Sequence, residues 1–151
     1  MSRGADLALA AREVATTAAS TLRGAIGAPG QAAEAPAGPV RVRAAHLVVF
    51  VPTTGDLAGV TWVLPLAVAT ALARRMAPGF PADGELIAAS ACELANILTG
   101  RASATLELYG VCVELSAPRL VTAVAAGPAA CVACALGTLT VALHAEAAND
   151  E

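Results

Sequence analysis

The sequence predicts an α+β domain of two layers, a largely antiparallel β-sheet with long helices packed on it. Three observations carry this expectation. Two apolar runs, residues 40–52 and 60–64, flank the turn segment TTGDLAG and read as a hairpin. A capped helical pattern runs from about residue 85 to 108. The C-terminal stretch GTLTVALHAEA alternates with period two, Leu139, Val141 and Leu143 against Thr138, Thr140, His144 and Glu146, which marks a half-buried strand.

Taken in order, residues 6–23 read as a first helix, with Leu7, Leu9, Val14 and Leu22 as a thin apolar stripe. Residues 27–39, GAPGQAAEAPAGP, read as a flexible loop. VRVRAAHLVVFVP opens with strict alternation and becomes a buried apolar run, a strand whose partner is VTWVL. Pro65 suits the first turn of a helix reaching about Met76, and APGFPADG ends it. Asp83 is a fair N-cap for the longest helix, which Gly110 closes. VCVELS and RLVTAVAA suggest a second hairpin around Ala117-Pro118, and the alternating strand completes the sheet. Residues 146–151, EAANDE, read as a frayed acidic tail. The 151 residues are expected to form one domain with a real core. Its two halves look loosely alike, each a helix followed by a hairpin, without enough self-similarity to prove a repeat.

Composition removes several functions. With 57 % hydrophobic and 14 % charged residues this is not a disordered chain. A formal net charge of -3 gives no basic footprint, so nucleic acid is not an expected partner. Every base is arginine and much of the apolar content is alanine, which fits a coding bias better than a functional demand. Residues 120–145 are long enough to span a membrane, but Gly127-Pro128 interrupts them and their second half alternates. Asp6, Arg12 and Glu13 stand where a signal peptide needs an unbroken apolar region. The expectation is a soluble, cytoplasmic protein without membrane insertion.

The four cysteines read as ordinary core residues. Cys131 and Cys134 form a C-x-x-C in a strand, where positions i and i+3 face opposite sides, and no second pair completes a metal site. Cys92 and Cys112 read the same way. His46 and His144 fall in strands with no acidic partner in view and read as surface or sheet histidines.

The long helix holds the one unusual pattern. Ile87, Leu94, Leu98 and Leu108 lie near one face and are expected to pack on the sheet. On another side Glu93, Asn96, Gly100 and Ser103 follow at spacings of three, four and three, a nearly straight row. Gly100 costs the helix about 1 kcal/mol relative to alanine, a cost that makes sense where another backbone comes close. Asn96 can donate to and accept from one water molecule, and a carboxylate one turn away can grip a cation. Cys92 adjoins Glu93, but consecutive helix residues diverge by about 100°, which places it off the Asn96 face in this reading. A solvated helix face remains the plain alternative.

The stretch ELANILTGRASATLELYGVCVELSAPRLVTA resembles the CheX branch of the CheC/CheX/FliY chemotaxis phosphatases. The resemblance rests on an E-x-x-N helix (Glu93, Asn96), a small-residue segment with Gly100 and Gly110, a strand, and an S-x-P turn at Ser116 and Pro118. GDLAGVTWVLPLAVATALARRM is similar to that family's hairpin and following helix, and element order matches over nearly the whole chain.

The resemblance implies a hydrolase that dephosphorylates the phospho-aspartate of a CheY-like response regulator in two-component signalling. Asn96 would hold the attacking water, Glu93 would pair with the regulator's lysine, and Gly100 and Ser103 would flank the partner. Mg²⁺ would belong to the regulator, leaving this chain without a cofactor of its own. CheC-type members carry two such motifs; here the first helix offers EVAT, with Thr16 where asparagine is needed, so that site is expected to be silent. A homodimer joined through the sheets is also implied. The competing expectations are a non-catalytic module that binds the regulator and a dimeric scaffold of a signalling complex.

Overall fold

The structure, a computed structural model, describes residues 3–36 and 38–145. Its elements are α1 (Arg3–Ile26), β1 (Gln31–Glu34), β2 (His46–Gly55), β3 (Gly59–Pro65), α2 (Leu66–Met76), α3 (Gly84–Leu108), β4 (Val113–Leu115), β5 (Arg119–Val121), β6 (Ala129–Cys134) and β7 (Gly137–His144). The expected tail, 146–151, lies outside the described residues.

The strands form one antiparallel sheet in the order β1-β6-β7-β3-β2-β4, with β5 also on β2. Pleating sends alternate residues to opposite faces. Val49, Val51, Val60, Trp62, Leu64, Leu139, Val141 and Leu143 turn toward the helices and join their buried side chains in one core. Trp62 is fully buried, and its indole N–H donates to Thr99 Oγ1 on α3 at 2.9 Å, so the ring brings no unpaired donor into the core. Burying a leucine such as Leu94 or Leu98 contributes about 1.5–3 kcal/mol, which fixes α3 against the sheet by one side only.

Two local signals shape the helices as expected. Asp83 caps α3, its carboxylate accepting from Leu86 N–H at 2.8 Å. Pro65 precedes α2 at φ -59, the value its ring imposes.

The structure departs from expectation in four respects, three of them in the sheet. Residues 27–39 contain β1, which pairs with β6 from Gln31↔Ala133 to Glu34↔Ala130. QAAE has little strand propensity, and its conformation comes from the partner's open edge. The strand expected from residue 40 starts only at His46, because residues 40–45 belong to the link that carries the chain from β1 to the far side of the sheet. β4 and β5 do not form a hairpin. Both pair with β2, at Gly55–Thr53 and Phe50–Val48, so they make one interrupted edge strand. Pro118 lacks an N–H and breaks the ladder there without reversing the chain.

The fourth departure concerns side chains. Leu9 and Leu108 are exposed, Leu108 by 84 %, and Leu106 takes the buried position in the last turn of α3. His144 is buried at 6 % exposure, a sheet histidine and not a surface one. Cys131 is buried as expected, Cys92 and Cys134 only partly, and Cys112 is exposed because it lies in the link between α3 and β4.

The halves of the chain repeat each other in space. Ala10, Ala11, Val14, Ala15, Ala18, Ala19, Leu22 and Ile26 are buried on α1, and a shift of 80 positions turns them into Ser90, Ala91, Leu94, Ala95, Leu98, Thr99, Ala102 and Leu106, all buried on α3. β3 and β7 meet at the middle of the sheet, with β2 and β6 outside them. The edge strand that follows each of these helices pairs with the other half, β1 on β6 and β4 on β2. No side-chain similarity announces this symmetry, since apolar identity changes while burial is kept.

Candidate functional site

On α3 the buried arc runs through Leu94, Leu98, Ala102 and Leu106. The row Glu93, Asn96, Gly100 is centred roughly 170° around the helix from it, and all three residues are exposed. Among the described residues neither the Glu93 nor the Asn96 side chain makes a hydrogen bond, whereas Thr99 and Ser103 on the same helix do. A Cβ added at Gly100 would meet nothing within 4 Å, so no internal contact requires a glycine there.

Ser103 is half-buried, and its hydroxyl donates to the Gly100 carbonyl at 2.7 Å, tying it to its own helix. It stands at the mouth of a groove of about 590 Å³ between the end of α3 and the β2–β4 edge, where Glu107 and Glu114 supply carboxylates. The groove is held open by a reciprocal clamp. Asp56 N–H donates to the Cys112 carbonyl at 2.9 Å, and Cys112 N–H donates to the Asp56 carboxylate at 2.8 Å. Gly55, at φ 101, passes so close to the Cys112 carbonyl that a side chain would collide with it. The α3 carbonyl end, with no basic residue in the last turn, adds to the negative character of this end of the row.

Glu107 continues the row one turn past Ser103 and was legible by the same spacing. Glu114 and Asp56 were not, because they reach the groove only through the pairing of β4 with β2. Cys92 needs a correction. It lies four residues before Asn96, one turn along the same side of the helix, so divergence from Glu93 does not separate the two. Its packing against the core does, and burial pushes its thiol up, keeping it protonated.

The equivalent place on α1 differs in chemistry. Glu13 is half-buried, and Thr16, where Asn96 stands on α3, turns its hydroxyl back to the Arg12 carbonyl at 3.1 Å. That helix offers no free carboxamide.

Fold and row together define a helix-presenting two-layer α+β domain, its polar helix face turned outward. No family profile matches the sequence, and no curated protein matches it. Solved structures do. CheX from Desulfovibrio desulfuricans superposes with a TM-score of 0.70 at 18 % identity, covering 91 % of this chain and 99 % of that one. FliY from Thermotoga maritima gives 0.64 at 16 % identity, covering 96 % and 92 %. A CheX from Borrelia burgdorferi, solved as a complex with CheY, BeF3 and Mg²⁺, gives 0.60 at 18 % identity, covering 87 % and 96 %. This chain has the fold of the CheX, CheC-like and FliY chemotaxis proteins.

Proposed function

We propose that this protein is a CheX-type phosphatase that removes the phosphoryl group from the aspartate of a CheY-like response regulator. The observation that carries this reading is the pairing of exposed Glu93 and Asn96 on one side of α3, without internal partners among the described residues, in a chain with the CheX fold. A CheX of the same fold has been solved with CheY and BeF3, a mimic of a phosphoryl group, together with Mg²⁺.

In this reading α3 enters the regulator's active site along the Glu93–Gly100 row. The Asn96 amide accepts from and donates to one water, holding its oxygen in line with the phosphorus. Attack forms the new P–O bond as the bond to the aspartyl oxygen breaks, and the carboxylate leaves. Glu93 pairs with the regulator's lysine and sets the register of docking. Gly100 leaves room for the partner's backbone, and Ser103 borders the contact. The regulator brings the Mg²⁺ and cation that stabilise developing charge, so orientation of water is the helper's share. A hundredfold acceleration asks about 2.7 kcal/mol of it. A homodimer joined through the sheets belongs to the same proposal.

The test is release of phosphate from a labelled CheY-like protein. Asn96→Ala is expected to lose most of the acceleration, about a hundredfold if the amide alone orients water. Glu93→Ala is expected to raise KM more than it lowers kcat. Thr16→Ala serves as the control and should leave turnover unchanged. Full activity in Asn96→Ala rejects the mechanism. Regulator binding by the wild type without faster dephosphorylation favours the non-catalytic module.

A further inference from the structure

The sheet face turned away from the helices is covered by two crossing segments. The chain leaves β1 at one edge with residues 35–36 and, over residues 38–45, reaches β2 beyond β6, β7 and β3. With strands spaced about 4.8 Å apart, the four steps span roughly 19 Å. Residues 122–128 make the reverse journey, from β5 beside β2 across β3 and β7 to β6. On this face Val48, Val63, Cys131 and Ala142 are buried although they stand outside the core cluster that includes the helices.

Each roof encloses a cavity, and the two differ in chemistry. Under residues 122–128 the cavity of about 730 Å³ is lined mainly by alanines, Val121, Pro128, Leu143 and Phe50, with Thr61, His144 and a single arginine, Arg119, supplied by the strands. Under the first crossing segment the cavity of about 470 Å³ is lined by Arg41, Arg43, His46, Cys131, Thr138 and Thr140, and by no carboxylate among the described residues. Glu34, next to this roof in sequence, lines a separate groove with Arg12 and Glu13 on the α1 side.

The donors converge for identifiable reasons. Arg41 and Arg43 are two apart on one extended segment. Thr138 and Thr140 alternate with the core residues Leu139 and Val141, so the pleat turns both toward the roof. His46 Nδ1 accepts from the Arg43 backbone N–H at 3.1 Å. A neutral ring in that bond carries its proton on Nε2, and the free nitrogen is a donor. Two arginines, a histidine and two threonines therefore line a space beside Cys131, whose Sγ lies 3.5 Å from Thr140 Oγ1, and no lining side chain is an anion.

The second roof is an internal control. Its crossing segment, TAVAAGP, carries no charged residue, so covering the strands does not require the two arginines that the first segment brings; the arginine and histidine of the second cavity come from the strands. Nor is this a general basic surface, in a chain of net charge -3. Both arginines are exposed and hydrated, and a multiply charged oxyanion entering the pocket would gain bidentate hydrogen bonds from them.

We propose that this pocket binds the phosphate of a small phosphate monoester, with the organic part against Pro36, Pro39 and Val40. The volume lies in the range of small-ligand sites and suits a nucleoside monophosphate. The site lies on the opposite face of the sheet from α3, so its occupancy is separable from regulator turnover.

Calorimetric titration of the full chain with adenosine monophosphate, adenosine and inorganic phosphate tests this. The monophosphate should bind, inorganic phosphate should compete with it, and adenosine should bind at least about tenfold more weakly. Arg41→Gln with Arg43→Gln should weaken monophosphate binding by about tenfold or more, while Arg119→Gln under the other roof should not change it. Both arginines are exposed, and an unchanged circular dichroism spectrum confirms that the double variant is folded. The proposal is overturned by absence of monophosphate binding, by equal binding to the double variant, or by adenosine binding as tightly as its monophosphate.

Discussion

Gly100 weakens α3 by roughly 1 kcal/mol relative to alanine, and nothing within 4 Å of its absent Cβ explains why. Gly100→Ala should therefore raise the melting temperature by a few degrees, since about 1 kcal/mol shifts a domain of this size by roughly 2–4 °C. Gly100→Leu should keep the fold but slow regulator dephosphorylation, because the added side chain fills the surface meant for a partner. A Leu variant with wild-type turnover would remove Gly100 from the docking face. His144 is the residue whose environment sets a pH dependence. Its Nε2 pairs with Thr61 Oγ1 at 2.7 Å, its Nδ1 faces the Ala126 carbonyl, and burial holds its pKa below the usual histidine value, partly offset by that carbonyl. Arg119 lines the same cavity and gives a proton there no anionic partner. Between the lowered native value and the ordinary one near 6.5, the unfolded chain binds a proton that the native protein does not. Stability is thus complete above the ordinary value and falls as pH drops through the native one. Melting curves across that range should show a shallower acid loss for His144→Gln than for wild type.

Among the elements, α3 was the most legible and β1 the least. Asp83, the apolar period and Gly110 bracket α3 locally, so its bounds need no tertiary information. Asp83→Ala should cost about 1 kcal/mol, read as a lower urea midpoint with unchanged slope. The period also separated the row of Glu93 and Asn96 from the core side. It misplaced Leu108, because the last turn outruns the sheet and Leu106 becomes the buried neighbour. β1 carries no β-branched residue, and nothing in QAAE reveals that β6 will have an open edge beside it. β4 and β5 were legible as strands, yet their shared partner was not, since a proline between two short apolar runs reads as a reversal. The groove beyond Ser103 was hidden for the same reason: its far wall is a pairing, not a motif.

Across the whole molecule, the 80-residue shift relates buried positions while the exposed ones diverge, Thr16 against Asn96 and Ser20 against Gly100. The shared core fixes how each helix sits, and the outward row is free to change chemistry without disturbing the fold. The exchange of edge strands has a kinetic consequence. Gln31 finds its partner at Ala133, so the sheet closes over most of the chain length and the contact order is high. Neither half owns the strand that completes it, which favours one cooperative transition over folding half by half. Residues 77–83, between α2 and α3, are then the informative place to cut. Each fragment alone should lack native sheet signal, and mixing the two should restore it with second-order kinetics. A first fragment that folds unaided would show that β1 is dispensable to the core, and that the two halves assemble as finished units.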